Sequence, residues 1–117
     1  MRQTPLFDEH RALGGKIVDF TGWALPVQFA GILNEHEHTR AKASLFDCSH
    51  MGEFCIKGER GIQAYDALVT MNAAGLAVGR ARYGFLLTEG GGIIDDLVAM
   101  RVAEDELFVV TNAGPLR

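Results

Sequence analysis

Ala81-Arg82-Tyr83-Gly84-Phe85-Leu86-Leu87-Thr88, Glu89-Gly90-Gly91-Gly92 and Ile93-Ile94-Asp95-Asp96-Leu97-Val98-Ala99-Met100-Arg101-Val102 follow one another without interruption. The two outer runs are rich in aliphatic and aromatic residues, and the glycine connection is short enough to close a hairpin. Leu107 to Thr111, after the turn-forming Glu104-Asp105-Glu106, makes a further strand. Successive strands joined by short turns predict antiparallel pairing. The glycine run is a poor phosphate cradle, because a strand follows it rather than a helix N-terminus.

Toward the N-terminus, Leu45–Ser49 and Glu53–Lys57 are strand-like runs separated by Met51-Gly52. Ile62, Tyr65, Leu68 and Val69 fall on one helical face, which predicts a helix over 59–69, and 71–79 reads as a loop. Thr4-Pro5 followed by Asp8 and Glu9 predicts a helix over 5–13, with Thr4 as its capping hydroxyl and Gly14 as its stop. Lys16–Phe20 and Val27–Phe29 are short extended pieces around Gly22 and Pro26, and Ile32–Ala43 is a second helix. The expected architecture is α+β, a mostly antiparallel sheet with helices packed on one side. One domain is expected over 1–117, and the stop just after a strand reads as the end of an N-terminal piece of a longer chain.

Composition narrows the function classes. Hydrophobic residues at 48% and charged residues at 22% are ordinary for a globular domain, and no apolar stretch approaches the ~20 residues that span a bilayer. The net charge is -4 with scattered Lys and Arg, so neither nucleic acid nor membrane is an expected partner. The start lacks an apolar secretory core, which points to the cytoplasm. Cys48 and Cys55 stand in apolar surroundings and are expected to be inert buried thiols.

Period 2 separates Asp95 from Asp96. Ile94, Asp96, Val98, Met100 and Val102 share one face, while Asp95 lies with Arg101 on the other. A carboxylate on an apolar face is costly to bury unless it is bonded or used, which makes Asp96 a candidate binding or proton-handling group. Solvation near the glycine turn, or bonds to backbone N–H groups, explains both acids equally well. Ser49-His50-Met51-Gly52-Glu53 holds a hydroxyl, an imidazole and a carboxylate, but strand neighbours point to opposite faces and no nucleophile elbow is present, so a triad is not expected. His36 and His38 are two apart on a helix, whereas a paired-histidine site needs i and i+4; no metal site is expected.

Thr4-Pro5-Leu6, the stretch from Gly14 through Asp19-Phe20 and Gly22-Trp23 to Pro26-Val27-Gln28, Leu45-Phe46-Asp47-Cys48-Ser49-His50-Met51-Gly52-Glu53, and Gly91-Gly92-Ile93-Ile94-Asp95-Asp96-Leu97 resemble, together and in order, the T-proteins of the glycine cleavage system, the aminomethyltransferases. The resemblance implies a tetrahydrofolate-dependent transferase of glycine catabolism. Such an enzyme takes an aminomethyl group from the lipoyl arm of its partner H-protein, releases ammonia and leaves the one-carbon unit on tetrahydrofolate. It also implies that Asp96 is the catalytic aspartate, and that Met51, Tyr83, Asp96, Val98, Met100, Val110 and Asn112 line the folate pocket, with Asn112 bonded to the pterin. Val98, Met100 and Val110 read equally well as plain core. Two departures stand out: Met71-Asn72 replaces the family's usual Asn-Asp after Thr70, and Met100 stands where an aromatic residue is common. The remaining pocket residues of the family, an arginine for the folate tail among them, lie beyond Arg117, so the 117 residues alone are expected to be inactive. A non-transferring folate-binding module, a folate-dependent demethylase, or the folate domain of a sarcosine or dimethylglycine dehydrogenase are the alternatives.

Overall fold

The chain enters through β1 (Arg2–Gln3) and turns at Pro5 into the short helix α1 (Phe7–Ala12). The Thr4 hydroxyl does not cap this helix: it donates to Asp47 Oδ2 at 2.8 Å, and only the Thr4 carbonyl receives an N–H, from Phe7. Gly14, at φ +78°, ends α1 as expected, in the left-handed conformation that glycine takes without a Cβ penalty. β2 (Ile17–Phe20) and β3 (Trp23–Pro26) pair antiparallel, from Ile17 opposite Pro26 to Phe20 opposite Trp23, and β1 lies parallel to β3. The second strand therefore precedes the predicted 27–29. Asp19 Oδ1 accepts the Gly22 N–H at 2.7 Å, which tightens the turn so that pairing resumes at Trp23, and Pro26 takes the last ladder position. Helix α2 (Ile32–Ala41) ends two residues earlier than predicted and buries none of its residues.

The computed structural model describes residues 1–114, in two compact units: Met1–His50 with Ala113 and Gly114, and Met51–Asn112. In the first unit the segment predicted as a strand at 45–49 has no regular structure. Its anchor is a side chain, Asp47, rather than a ladder.

The second unit contains β4 (Gly52–Lys57), α3 (Glu59–Asp66), β5 (Ala81–Leu87), β6 (Ile93–Ala103) and β7 (Glu106–Thr111). Its four strands form one antiparallel sheet in the order β4-β7-β6-β5. Helix α3 and the loop after it cover one face, where Ile62, Met71, Ala73, Leu97, Ala99, Leu107 and Val109 make the core. Sheet and helix on one side are the α+β arrangement that the pattern predicted. Because α3 stops at Asp66, Leu68 does not share its buried stripe and is exposed. The loop at 71–79 is irregular as expected, yet Met71, Ala73 and Leu76 within it are buried. A Cβ at Gly84 would stand 2.9 Å from Met71 Cε and 3.0 Å from its Cβ, so the absent side chain is what lets Met71 seat on the sheet. The departure at Met71 thus fills core space.

Both cysteines are exposed, against expectation. Cys48 lies in the irregular segment, and Cys55 sits on edge strand β4 opposite Phe108, on the sheet face away from α3.

Candidate functional site

The register of the second unit decides which side chains meet. Tyr83 stands opposite Val98, Val98 opposite Val110, Phe85 opposite Asp96, and Met100 opposite Phe108. Directly opposed residues share a face, so Tyr83, Phe85, Asp96, Val98, Met100, Phe108 and Val110 form one continuous patch on the side that α3 leaves uncovered. Val98, Met100, Phe108 and Val110 are half-buried, and Tyr83 is 55% exposed. Tyr83 and Phe85 meet edge to face with ring centroids 5.2 Å apart.

Asp96 therefore lies on an apolar face, but not on the buried one. The buried row of β6 is Leu97 and Ala99, and the half-buried Asp96 carboxylate is held by bonds rather than stranded by desolvation. Tyr83 Oη donates to Asp96 Oδ2 at 3.0 Å, across the diagonal of the ladder. Asn112 Nδ2 donates to Asp96 Oδ1 at 2.7 Å and to the Asp96 carbonyl at 2.9 Å. The bond to Asp96 is the main cause that pushes the Tyr83 phenol above its ordinary value of 10.0; desolvation and the carboxylate charge add to it. Ionising the phenol would both break that bond and set two anions side by side.

Arg101 does not pair with Asp95. Its guanidinium donates to the carbonyls of Ala103 at 3.1 Å, Ala74 at 3.4 Å and Glu104, which closes the β6–β7 turn, while Asp95 turns to Asn112. Of the residues assigned to the pocket by resemblance, Tyr83, Asp96, Val98, Met100 and Val110 share the patch. Asn112 lies one residue past β7 and is bonded into it, and the half-buried Met51 directly precedes β4. Phe85 and Phe108 were not singled out from the sequence. Alternation from Tyr83 could have found Phe85, but Phe108 needed the register.

A second cluster, in the first unit, also went unread. Asp47 Oδ2 accepts from Thr4 Oγ1 and from His10 Nε2, each at 2.8 Å, and Oδ1 accepts the Ser49 N–H at 2.9 Å. Thr4 and His10 are buried, and the Asp47 side chain is 6% exposed. Burial alone would raise the Asp47 carboxyl, but the bonds from Ser49, His10 and Thr4 outweigh it and hold the group well below the carboxylate range. Among the described residues, no three His, Cys, Asp or Glu side chains converge on a possible metal position, and no helix is long and apolar enough to cross a membrane.

Residues 6–116 match the family model described as the GCVT N-terminal domain. The chain belongs to this family. An aminomethyltransferase of Rubrobacter xylanophilus is 48% identical to it over 114 residues, which cover 97% of this chain and 31% of that protein. Another, from Herpetosiphon aurantiacus, is 48% identical over 117 residues, covering 97% and 32% respectively. The crystal structure of glycine cleavage system aminomethyltransferase T from Bartonella henselae superposes with a TM-score of 0.92 at 40% identity, over 98% of this chain and 32% of that one. The chain thus spans about a third of the length of these relatives, and the antiparallel sheet with α3 on one face is the family's fold.

Proposed function

We propose that this chain supplies the N-terminal part of a folate-binding domain, and that the complete protein is a tetrahydrofolate-dependent aminomethyltransferase of the glycine cleavage system. Its donor partner would be the lipoyl-bearing H-protein, whose aminomethyl group is passed on with release of ammonia. The observation that carries this reading is the meeting of the Tyr83 hydroxyl, the Asp96 carboxylate and the Asn112 carboxamide at the rim of one apolar sheet face. A pterin is flat, with apolar faces and N–H groups along its edge. Val98, Met100 and Val110 offer it a surface, and Asp96 is an acceptor at the rim. When bound, tetrahydrofolate supplies the nitrogen that takes up the one-carbon unit.

The protein's own contribution is positioning and proton handling. Asp96 accepts an N–H of the bound pterin, fixes its orientation and can hold the proton that the amine gives up. Tyr83 and Asn112 fix the rotamer of the carboxylate by donating to one oxygen each. Met51, at the entry to β4, adds apolar contact.

The test is transfer from aminomethyl-loaded H-protein by the complete protein that carries this sequence, with folate affinity measured beside it by calorimetry. Asp96→Asn is expected to lower kcat by about 10²–10⁴ while weakening tetrahydrofolate binding less. A variant with kcat intact at saturating folate, and binding weakened by about 1–3 kcal/mol, would instead make Asp96 an anchor of a passive folate module. Absence of ammonia release from loaded H-protein by the unaltered protein would exclude the transferase.

A further inference from the structure

Asp95 points away from the patch by strand alternation, yet its carboxylate meets the residue that holds Asp96. Asp95 Oδ2 accepts the backbone N–H of Asn112 at 3.2 Å; Oδ1 accepts Asn112 Nδ2 at 2.9 Å and the backbone N–H of Asp96 at 3.1 Å. Both ends of Asn112 are therefore gripped by one side chain. The same Nδ2 reaches Asp96 Oδ1 at 2.7 Å and the Asp96 carbonyl at 2.9 Å. All three acceptors around that nitrogen are oxygens that can only accept, which fixes the orientation of the carboxamide. Turned over, it would set its own oxygen against two carboxylates.

We propose that Asp95 is a positioning residue for the transfer: by gripping Asn112 at backbone and side chain, it orients the carboxamide that clamps Asp96. The proposal rests on the reading of Asp96 as the proton-handling carboxylate. Asn112 is exposed and lies beyond the last paired residue of β7, so the ladder does not order it. An exposed asparagine at a strand end is free to rotate about both side-chain bonds. The bond from Asp95 Oδ1 selects one of those rotamers. Asparagine at position 95 cannot replace it, because its amide nitrogen would face either the N–H of Asn112 or the donors on the other side.

Losing the clamp leaves the Asp96 carboxylate present but misoriented, and so lowers the plateau of the pH–rate profile itself. In the complete protein, with saturating tetrahydrofolate and aminomethyl-loaded H-protein, Asp95→Asn and Asn112→Ala are each expected to lower plateau kcat about tenfold, less than Asp96→Asn does. The double variant should be no worse than the poorer single, because both changes break the same link. In both variants the Tyr83 phenol, followed through the ring carbon resonances of labelled tyrosine, should titrate closer to its ordinary value as the carboxylate swings away.

A plateau unchanged in Asp95→Asn while Asp96→Asn collapses transfer would overturn the proposal and leave the reading of Asp96 standing. So would additive losses in the double variant, which mark two independent structural defects. If Asp96→Asn keeps full activity, the underlying reading fails and the inference goes with it. Should Asp95→Asn not fold, the exposed Asn112→Ala carries the same plateau and Tyr83 expectations, and an unaltered plateau there is equally fatal.

Discussion

Asp47 shows how one side chain can do the work of a strand. Its two oxygens collect the Thr4 hydroxyl, the His10 ring nitrogen and the Ser49 N–H, and so tie an irregular segment to the start of α1. Its proton affinity in the folded chain is depressed below the ordinary value of 3.8. The unfolded chain thus takes up a proton that the folded one refuses; the stability from this site is complete above that ordinary value and is lost as pH falls below it. Thermal melts taken from about pH 6 down to about pH 2 should show an acid-side fall in Tm that flattens in Asp47→Asn. Asp47→Ala should cost about 1–3 kcal/mol near neutrality, since it leaves buried Thr4 and His10 without their acceptor. An acid limb identical in both proteins would remove Asp47 from that account. The sequence pointed to Asp96 because a carboxylate breaks the apolar pattern of its strand. Asp47 gave no such signal: its two side-chain partners are 43 and 37 residues away, and nothing local announces them. Asp95 was read against Arg101 because alternation says which face a residue is on, not which group ends the neighbouring strand.

Among the elements, β5 packs around an absent side chain. Gly84 is buried opposite Leu97, and Met71 lies directly over it. The edge of β5 is sealed there as well: Thr70 N donates to the Phe85 carbonyl at 3.0 Å, and the Phe85 N–H donates to Thr70 Oγ1 at 3.0 Å. A methyl group at Gly84 would have to move Met71 and strain this seam, so Gly84→Ala is expected to destabilise by about 1–3 kcal/mol in urea titrations. Met71→Ala in the same background should recover part of that loss by making room, a coupling that independent defects would not show. The long, strongly patterned strands β5, β6 and β7, the glycine turn and α3 could all be read from periodicity. The failures were short segments. Strand formers at 27–29 and 45–49 looked extended, but pairing depended on where the Asp19 turn placed the register and on whether a partner strand existed, and neither is a local property. Cys55 was misplaced for a related reason: apolar neighbours imply burial only when both faces of a strand are covered, and β4 is an edge with one face away from α3, while Cys48 lies in a segment that forms no strand.

The chain as a whole leaves much apolar surface open. Leu33 at 77%, Leu45 at 100% and Phe46 at 69% exposure belong to the first unit, and Phe54 at 56%, Ile93 at 65% and Ile94 at 58% to the second. Scattered apolar side chains are normal on a protein surface, but large ones exposed this fully, several of them neighbours in sequence, are a driving force for association. The relatives are about three times as long, and we expect the added chain in a protein of their length to cover these faces and to complete the folate pocket. The 117 residues produced alone should then bind an apolar dye strongly and sediment as a concentration-dependent mixture heavier than monomer. They should also release no ammonia from loaded H-protein. The same sequence within a chain of the relatives' length should bind little dye, and tetrahydrofolate should raise its Tm in proportion to occupancy. The shorter chain should show a much smaller rise, because on the proposed reading a third of the length offers one wall of the pocket. Equal ligand-induced shifts in the two proteins, or a clean dye-free monomer from the 117 residues, would mean that these faces need no covering and that the sheet patch binds folate unaided.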